Sequence, residues 1–167
     1  MASFEKFHPV LTAHYTMDWL TQTPVKQVDA LFSQPIFTTV SAEWLPNQIL
    51  DTVKGINHIM QRVMNGTELT WGIVDSNHQA FKGIVTLSGF KSTSQIGNLD
   101  FTFLRKDVAG LSEVLKRTIE FANDHFNFTQ LVVTLDEPLP ELSKILTANQ
   151  FKTTDQRQFK LALTTFK

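Results

Sequence analysis

The sequence predicts a mixed α/β fold in a single domain over residues 1–167. Two observations lead to this prediction. Three strand-like runs follow one another in the middle of the chain, and segments with apolar residues at spacings of three and four lie on either side of them. The length suits one domain with a sizeable core. We therefore predict an α+β mixed sheet with the element order β-α-α-β-β-β-α-β-α-β-β.

The chain begins with a predicted strand and a short helix. The strand lies in an extended segment near His14–Leu20. Thr23 and Pro24 then open a helix that runs to Phe32, because proline fits the first turn of a helix and the threonine hydroxyl can cap it.

A second helix is predicted after an irregular segment, Ser33–Trp44. It starts at Pro46 and ends at Asn65 and Gly66. One side of this helix is apolar, which is typical of a helix that packs on a sheet. The apolar stripe consists of Ile49, Val53, Ile56, Ile59, Met60 and Val63.

The rest of the chain is predicted to form a three-stranded meander followed by alternating helices and strands. Polar residues 76–79 join the first two strands of the meander as a hairpin, and the polar segment Ser88–Gln95 precedes the third. In chain order, the predicted elements are the strands Leu69–Asp75, Phe81–Leu87 and Ile96–Leu104, the helix Gly110–Phe126, a buried strand Gln130–Leu135, a short helix after Pro138 and Pro140, and a closing hairpin of Phe151–Thr154 and Gln158–Phe166.

Composition and charge argue against several classes of function. The chain has no cysteine, which excludes disulfides, thiolate nucleophiles and cysteine-ligated zinc. Its five histidines are scattered without metal-ligand spacing, so we predict no metal site. Lysine and arginine total 15 against 16 acidic residues, with no long block of like charge, so we predict neither a nucleic-acid nor a membrane partner. The sequence contains no signal-peptide pattern, which favours a cytoplasmic location.

The segment Phe101–Ala122 carries the main functional signal of the sequence. A strand ends at Arg105, and an amphipathic helix starts near Gly110. A strand-to-helix turn leaves the first N–H groups of the helix unpaired, which makes an anion site, and Arg105 and Lys106 add positive charge beside it. The local pattern alone favours a solvated connection with Asp107 as an ordinary cap. The sequence therefore predicts either a site for a phosphate-bearing cofactor or a plain connection.

The element order and this turn resemble the Gcn5-related N-acetyltransferase (GNAT) superfamily. Within it, the RimJ/RimL-type branch, which acetylates ribosomal-protein N-termini, is the more similar. The resemblance covers nearly the whole chain and includes the strand openings Thr-Trp-Gly-Ile-Val and Phe-Lys-Gly-Ile-Val-Thr-Leu, which begin at Thr70 and Phe81. In this family, the pyrophosphate of acetyl-CoA lies in a loop of the form Arg/Gln-x-x-Gly-x-Gly/Ala, and Arg105 and Gly110 match its ends. The resemblance implies that acetyl-CoA is held by Phe103, Leu104, Arg105, Gly110, Leu111 and Ser112.

Four positions depart from the family pattern. Val108 stands where the loop has its first glycine, and a β-branched residue does not let backbone amides approach a phosphate as closely. Leu139 and Leu142 stand where relatives usually have an asparagine and a serine near the cofactor, and Gln150 replaces a usual glycine. Val108, together with Asp107, lowers the expected affinity for the cofactor, and the four departures together support a GNAT-like domain that binds without catalysis.

Asp100 is the candidate general base. It shares a strand face with Asn98 and Thr102, and a carboxyl group inside so apolar a strand would have a raised pKa, which suits a base. The alternative is an aspartate at the rim that points to solvent. The resemblance also implies that the loop between the first two helices shapes the acceptor site, where Glu43 and Trp44 are candidates.

Two functions follow from these residues. The first is an acetyl-CoA-dependent N-acetyltransferase, in which a primary amine, either a protein N-terminus or a small amine, attacks the thioester directly where the third and fourth strands of the central sheet separate. The alternative is a catalytically weak or inactive GNAT-like domain that binds a ligand or a partner protein. The expected partner is a small-molecule or peptide amine, and the expected state is a monomer or a homodimer.

Overall fold

The computed structural model describes residues 4, 6–40, 45–91 and 93–163. Over these ranges the chain forms one mixed sheet flanked by four α-helices. The elements, in chain order, are β1 (Val10–Leu11), β2 (Tyr15–Asp18), α1 (Val25–Leu31), β3 (Ile36–Thr38), α2 (Ile49–Met64), β4 (Leu69–Asp75), β5 (Phe81–Ser88), β6 (Ile96–Leu104), α3 (Val108–His125), β7 (Gln130–Thr134), α4 (Pro140–Ala148) and β8 (Gln158–Ala162).

The strands follow the order β1-β2-β4-β5-β6-β7-β8 across the sheet. Neighbouring strands are antiparallel except β6 and β7, which are parallel and are connected by α3. The short strand β3 also pairs with β6. The parallel pair therefore lies inside an otherwise antiparallel sheet, and β6 has three strand neighbours.

The two faces of the sheet carry different helices. Helices α3 and α4 cover one face, where Leu111 and Leu146 pack with Trp71 and Phe103 in the larger core. Helices α1 and α2 cover the other face and form a smaller core that includes Leu104. Because side chains alternate along a strand, successive residues of β6 belong to different cores. None of the helices in the described ranges has the length and apolar composition needed to cross a bilayer.

The predicted mixed α/β architecture is confirmed, and the central strands agree with the prediction within one residue. The starts of two helices differ from the prediction by two or three residues. Helix α3 begins at Val108 rather than near Gly110, and α2 begins at Ile49 rather than at Pro46. The start of α2 has a local cause, since Gln48 and Asp51 cap each other with reciprocal side-chain to backbone hydrogen bonds.

Three details of the predicted element order are wrong. A hairpin of β1 and β2 replaces the single first strand. The segment Ser33–Trp44, predicted to be irregular, contains β3, whose Phe37 is buried in the larger core. Within the described residues, the closing hairpin has one strand, β8, with an isolated bridge from Lys152 to Lys160, and residues 164–166 of the predicted strand lie outside the described residues. Each of these pairings joins short segments, whose periodicity is too brief to recognise in a sequence.

Candidate active site

The predicted anion site lies where β6 passes through a turn of 3-10 helix, Arg105–Asp107, into α3. Helix α3 has 18 residues, so its first N–H groups and its dipole direct a partial positive charge at this turn. The negative charge of Asp107, at the N-cap of α3, would by itself repel an anion at this turn. Lys82 on β5 offsets that charge, with its Nζ 3.1 Å from Asp107 Oδ2. The sequence pattern did not identify Lys82, because it lies 25 residues away on another strand.

Arg105 lies over β3 rather than over the start of α3. Its guanidinium carbon is 4.1 Å from the centroid of the Phe37 ring, which is a cation–π arrangement. Its Nη2 also donates a weak hydrogen bond to the Ile36 carbonyl at 3.4 Å. The side chain is exposed, so in this conformation its charge is available to solvent but is directed along β3.

Gly110 on α3 packs against the side chain of Tyr15 on β2. A Cβ atom at this position would collide with the hydroxyl of Tyr15, so the residue must be glycine for Tyr15 to fit. The Tyr15 ring lies edge-on to Phe103, with 6.3 Å between centroids. Burial raises the pKa of Tyr15, and the negative charges of Asp107 and Glu113 raise it further. Tyr15 therefore stays protonated beside the predicted phosphate site.

The other predicted cofactor residues differ in which of their groups, side chain or backbone, a ligand could reach. Phe103 and Leu111 have their side chains in the larger core, and Leu104 has its side chain in the smaller one. These three residues could therefore contribute only backbone groups to a ligand. Ser112 is partly exposed on the first turns of α3, and its Oγ accepts a hydrogen bond from Asn149 Nδ2 at 3.2 Å.

Strands β6 and β7 separate as predicted. Their parallel pairing runs from Ile96 opposite Gln130 to Asn98 opposite Val132. Beyond that point β3 pairs with β6 along the same edge, with Phe37 opposite Phe103. Two hydrogen bonds of 3.0 Å extend this pairing at its ends. The Thr39 N–H donates to the Phe101 carbonyl, and the Arg105 N–H donates to the Pro35 carbonyl. The edge of β6 at the separation is therefore occupied by the chain itself.

Asp100 lies at this separation, on the face that carries α1 and α2. It is partly buried, and its Oδ1 accepts a hydrogen bond from Thr39 Oγ1 at 2.7 Å. Burial raises the pKa of Asp100, the negative charge of Asp136 after β7 raises it further, and the Thr39 hydrogen bond opposes both effects. The raised pKa agrees with the sequence-based expectation for Asp100. Thr39 is a neighbour that the sequence pattern did not single out.

Three of the positions that depart from the GNAT pattern lie in or next to α4. Leu142 is fully buried in the core, and Leu139 is the N-cap of α4. Gln150 has the left-handed backbone conformation that glycine favours, with φ of 74°. Glu43 and Trp44 lie outside the described residues, so their proposed role in the acceptor site stays a prediction.

Comparisons with known proteins identify the fold. No protein-family model matches the sequence, and no curated protein matches it. Solved structures do match. One is a Vibrio cholerae protein provisionally assigned as a ribosomal-protein-serine acetyltransferase, with a TM-score of 0.79 at 12% identity over 96% of this chain and 99% of that one. A ribosomal-protein-S5-alanine acetyltransferase from Vibrio fischeri has a TM-score of 0.77 at 11% identity, with coverage of 96% and 99%.

A third match is RimL, a ribosomal L7/L12 alpha-N-protein acetyltransferase solved in complex with coenzyme A. Its TM-score is 0.71 at 8% identity over 92% of this chain and 97% of RimL. Because the matches cover nearly the whole chain in each case, the chain has the GNAT acetyltransferase fold, as the sequence resemblance predicted. At these identities, the likeness establishes the fold, and the chemistry must be argued from the residues.

Proposed function

We propose that this protein is an acetyl-CoA-dependent N-acetyltransferase that acetylates a primary amine, either a protein N-terminus or a small amine. The observation that carries the proposal is Asp100, a partly buried carboxyl group with a raised pKa at the point where β6 and β7 separate. The fold is shared with proteins described as acetyltransferases, one of them solved with coenzyme A and another, MccE, with acetyl-CoA and AMP. We further propose a cytoplasmic location and a monomeric or homodimeric state.

In the proposed reaction, the acceptor nitrogen would bond to the acetyl carbon as the carbon–sulfur bond of acetyl-CoA breaks, and coenzyme A would leave as a thiol after taking up the proton that the amine loses. Asp100 acts on the acceptor. An amine attacks only when it is neutral, so a base must remove its proton, directly or through a water molecule. A carboxylate with a raised pKa is a better base than an ordinary one. The hydroxyl of Thr39 orients the carboxylate through Oδ1.

The residues at the turn fit a pyrophosphate only in part. The N-terminus of α3 provides N–H groups, and Lys82 offsets the charge of Asp107. The pantetheine arm would need the edge of β6 that β3 now pairs with. We therefore propose that β3 leaves this edge when the cofactor binds, which releases the backbone of Phe103 and the side chain of Arg105.

Calorimetric titration with acetyl-CoA tests the cofactor site. We expect Arg105→Ala to weaken binding by about 1–3 kcal/mol, because it removes a charge-assisted hydrogen bond to phosphate. Lys106→Ala is the matched control, since it removes one exposed positive charge from the same turn. An equal loss in both variants would reduce the role of Arg105 to general charge. Tighter binding by Arg105→Ala would mean that Arg105 holds β3 closed and does not bind phosphate.

The activity itself is tested by following thiol release from acetyl-CoA with a panel of peptide N-termini and small amines. We expect turnover with at least one primary amine and a large loss in Asp100→Asn. The absence of acetyl-CoA binding at high micromolar protein concentration would contradict the proposal at its first step.

The second candidate is a GNAT-fold domain that binds a ligand or partner without catalysis. The observation in its favour is the pairing of β3 with β6, together with the contact of Arg105 with Phe37, because both engage groups that a cofactor would need. Turnover of any amine by the purified protein would eliminate this candidate. Binding of acetyl-CoA without turnover over the whole panel would favour it.

A further inference from the structure

A cavity lies between the sheet and helices α1 and α2, on the same face as Asp100. Its volume is about 160 Å³. Residues from both helices, from β5 and from β6 contribute to its wall. They are Leu20, Val28, Phe32, Val40, Leu45, Pro46, Thr52, Gly55, Ile56, Ile59, Ile84, Thr86 and Thr102.

Among the residues that the structure describes, those lining this cavity are uncharged, and their three hydroxyl groups already have partners. Thr52 donates to Asp29 Oδ1 at 2.7 Å. Thr86 shares a hydrogen bond with Thr70 at 3.0 Å, and Thr102 shares one with Thr38 at 2.8 Å. A charged or strongly polar group placed here would lose its hydration without gaining a partner. The cavity therefore favours an apolar, uncharged occupant.

Gly55 is one of the residues that line the cavity. It lies in the middle of α2, where glycine is less favourable than alanine. A Cβ atom at this position would meet no atom within 4 Å, so close packing does not require a glycine. Because Gly55 lines the cavity and a Cβ there has open space around it, we expect a larger side chain at this position to occupy part of the cavity.

The cavity adjoins the candidate base. Thr86 on β5 is directly opposite Asp100 on β6, and Thr102 follows two residues later on the same face. An amine held at Asp100 would therefore have its substituent next to this wall. We propose that the cavity binds an uncharged apolar substituent of the acceptor amine, an inference that rests on the proposed acetyltransferase function. A cavity of about 150 Å³ lined by aliphatic side chains admits a benzene ring, so the substituent is of leucine or phenyl size.

Isosteric acceptors test this proposal. Leucinamide and asparaginamide have side chains of nearly equal shape, and only the former is apolar. We expect kcat/KM for leucinamide to exceed that for asparaginamide by about tenfold or more, within the range that an apolar pocket provides. Gly55→Leu should remove most of this preference by filling the cavity, and Gly55→Ala should remove part of it. Asn57→Leu, which adds the same side chain at an exposed position of α2, is the matched control and should keep the preference. Equal use of the two amides by the unmodified protein would overturn the proposal.

A binding measurement separates failure of this proposal from failure of the proposed function. Benzene titrated into the isotopically labelled protein should shift the amide signals of Gly55, Ile56 and Thr86, and Gly55→Leu should abolish these shifts. If no amine is acetylated but benzene shifts these signals, the acetyltransferase function fails and the apolar site stands. If benzene shifts none of these signals, the cavity proposal is wrong whatever the activity.

Discussion

Gln150 is a residue whose backbone conformation is set by its position after a helix. It follows the last turn of α4 with φ of 74°, in the left-handed region. The N–H groups of Gln150 and Phe151 bond back to the carbonyls of Thr147 and Leu146, both at 3.0 Å. These two bonds form a Schellman motif, in which glycine is preferred at the first position after the cap. The chain thus keeps the geometry of a glycine position while carrying a glutamine.

Replacing Gln150 with glycine should stabilise the protein. A side chain in the left-handed region costs about 1–2 kcal/mol, and the greater freedom of glycine in the unfolded chain offsets part of the gain. We expect Gln150→Gly to raise the free energy of unfolding by about 0.5–1 kcal/mol, measured by urea denaturation. Gln130→Gly, which removes the same side chain from an extended strand, should destabilise instead. A loss of stability in Gln150→Gly would contradict this account of the motif.

The Thr39 hydroxyl should control the pH at which Asp100 becomes a base. Its hydrogen bond lowers the pKa of Asp100 against the opposing effects of burial and Asp136. In Thr39→Val the pKa of Asp100 should therefore rise, and the acidic limb of the kcat/KM profile should move to higher pH. The chemical shift of the Asp100 carboxyl carbon, followed by NMR as the pH is varied, reports the same pKa without an activity assay. A limb that stays in place while the Asp100 signal moves would show that Asp100 is not the base.

Among the elements, β3 is the one that occupies the edge of β6 proposed for the cofactor. It is only three residues long, and it is held by backbone pairing, by the burial of Phe37 and by the contact of Phe37 with Arg105. Releasing β3 would break its three-residue pairing with β6 and would also expose Phe37, which is 1% exposed in the present conformation, so the bound cofactor would have to supply this free energy. As proposed above, β3 is the element that would exchange places with the cofactor along the edge of β6.

Hydrogen exchange should detect this movement. The Thr39 amide bonds to the Phe101 carbonyl at 3.0 Å in the present conformation. We expect acetyl-CoA to accelerate exchange of the Thr39 amide while that of Asp75, which bonds to Ala80 in the distant β4–β5 hairpin, stays unchanged. If acetyl-CoA binds and Thr39 keeps its protection, the cofactor does not use the edge that β3 occupies.

At the scale of the whole molecule, a cluster of side chains joins the N-terminal hairpin to α3. Glu113 accepts hydrogen bonds from Thr12 and from the backbone of His14, and its Oε1 lies 2.7 Å from His14 Nδ1. The pKa of His14 is raised, chiefly by the hydrogen bond to Glu113 and then by its charge. Burial would raise the pKa of Glu113, but the hydrogen bonds from Thr12 and His14 outweigh it and lower the pKa.

This cluster should make stability depend on pH in a defined direction. A raised pKa in the folded state means that the His14 contribution is full below its ordinary pKa, about 6.5, and is lost as the pH rises through the folded value. The Glu113 contribution is present above its ordinary pKa and is lost as the pH falls. We expect the difference in urea midpoint between the protein and His14→Gln to be larger at pH 6 than at pH 8. His58→Gln, at an exposed position of α2, is the control and should show no such difference. A larger difference at pH 8 would reverse the sign and contradict the assignment.

The sequence alone determined the architecture and the nature of the candidate base. The strands β4, β5 and β6 and the helices α2 and α3 each have a periodicity that local side chains define, and the alternation within β6 sets Asp100 apart from the larger core. Only the tertiary structure decided the surroundings of the site. The pairs Tyr15 with Gly110 and Lys82 with Asp107, the pairing of β3 with β6 and the cavity beside Gly55 all join residues from separate elements. Such contacts depend on how the elements pack, and no local pattern encodes them.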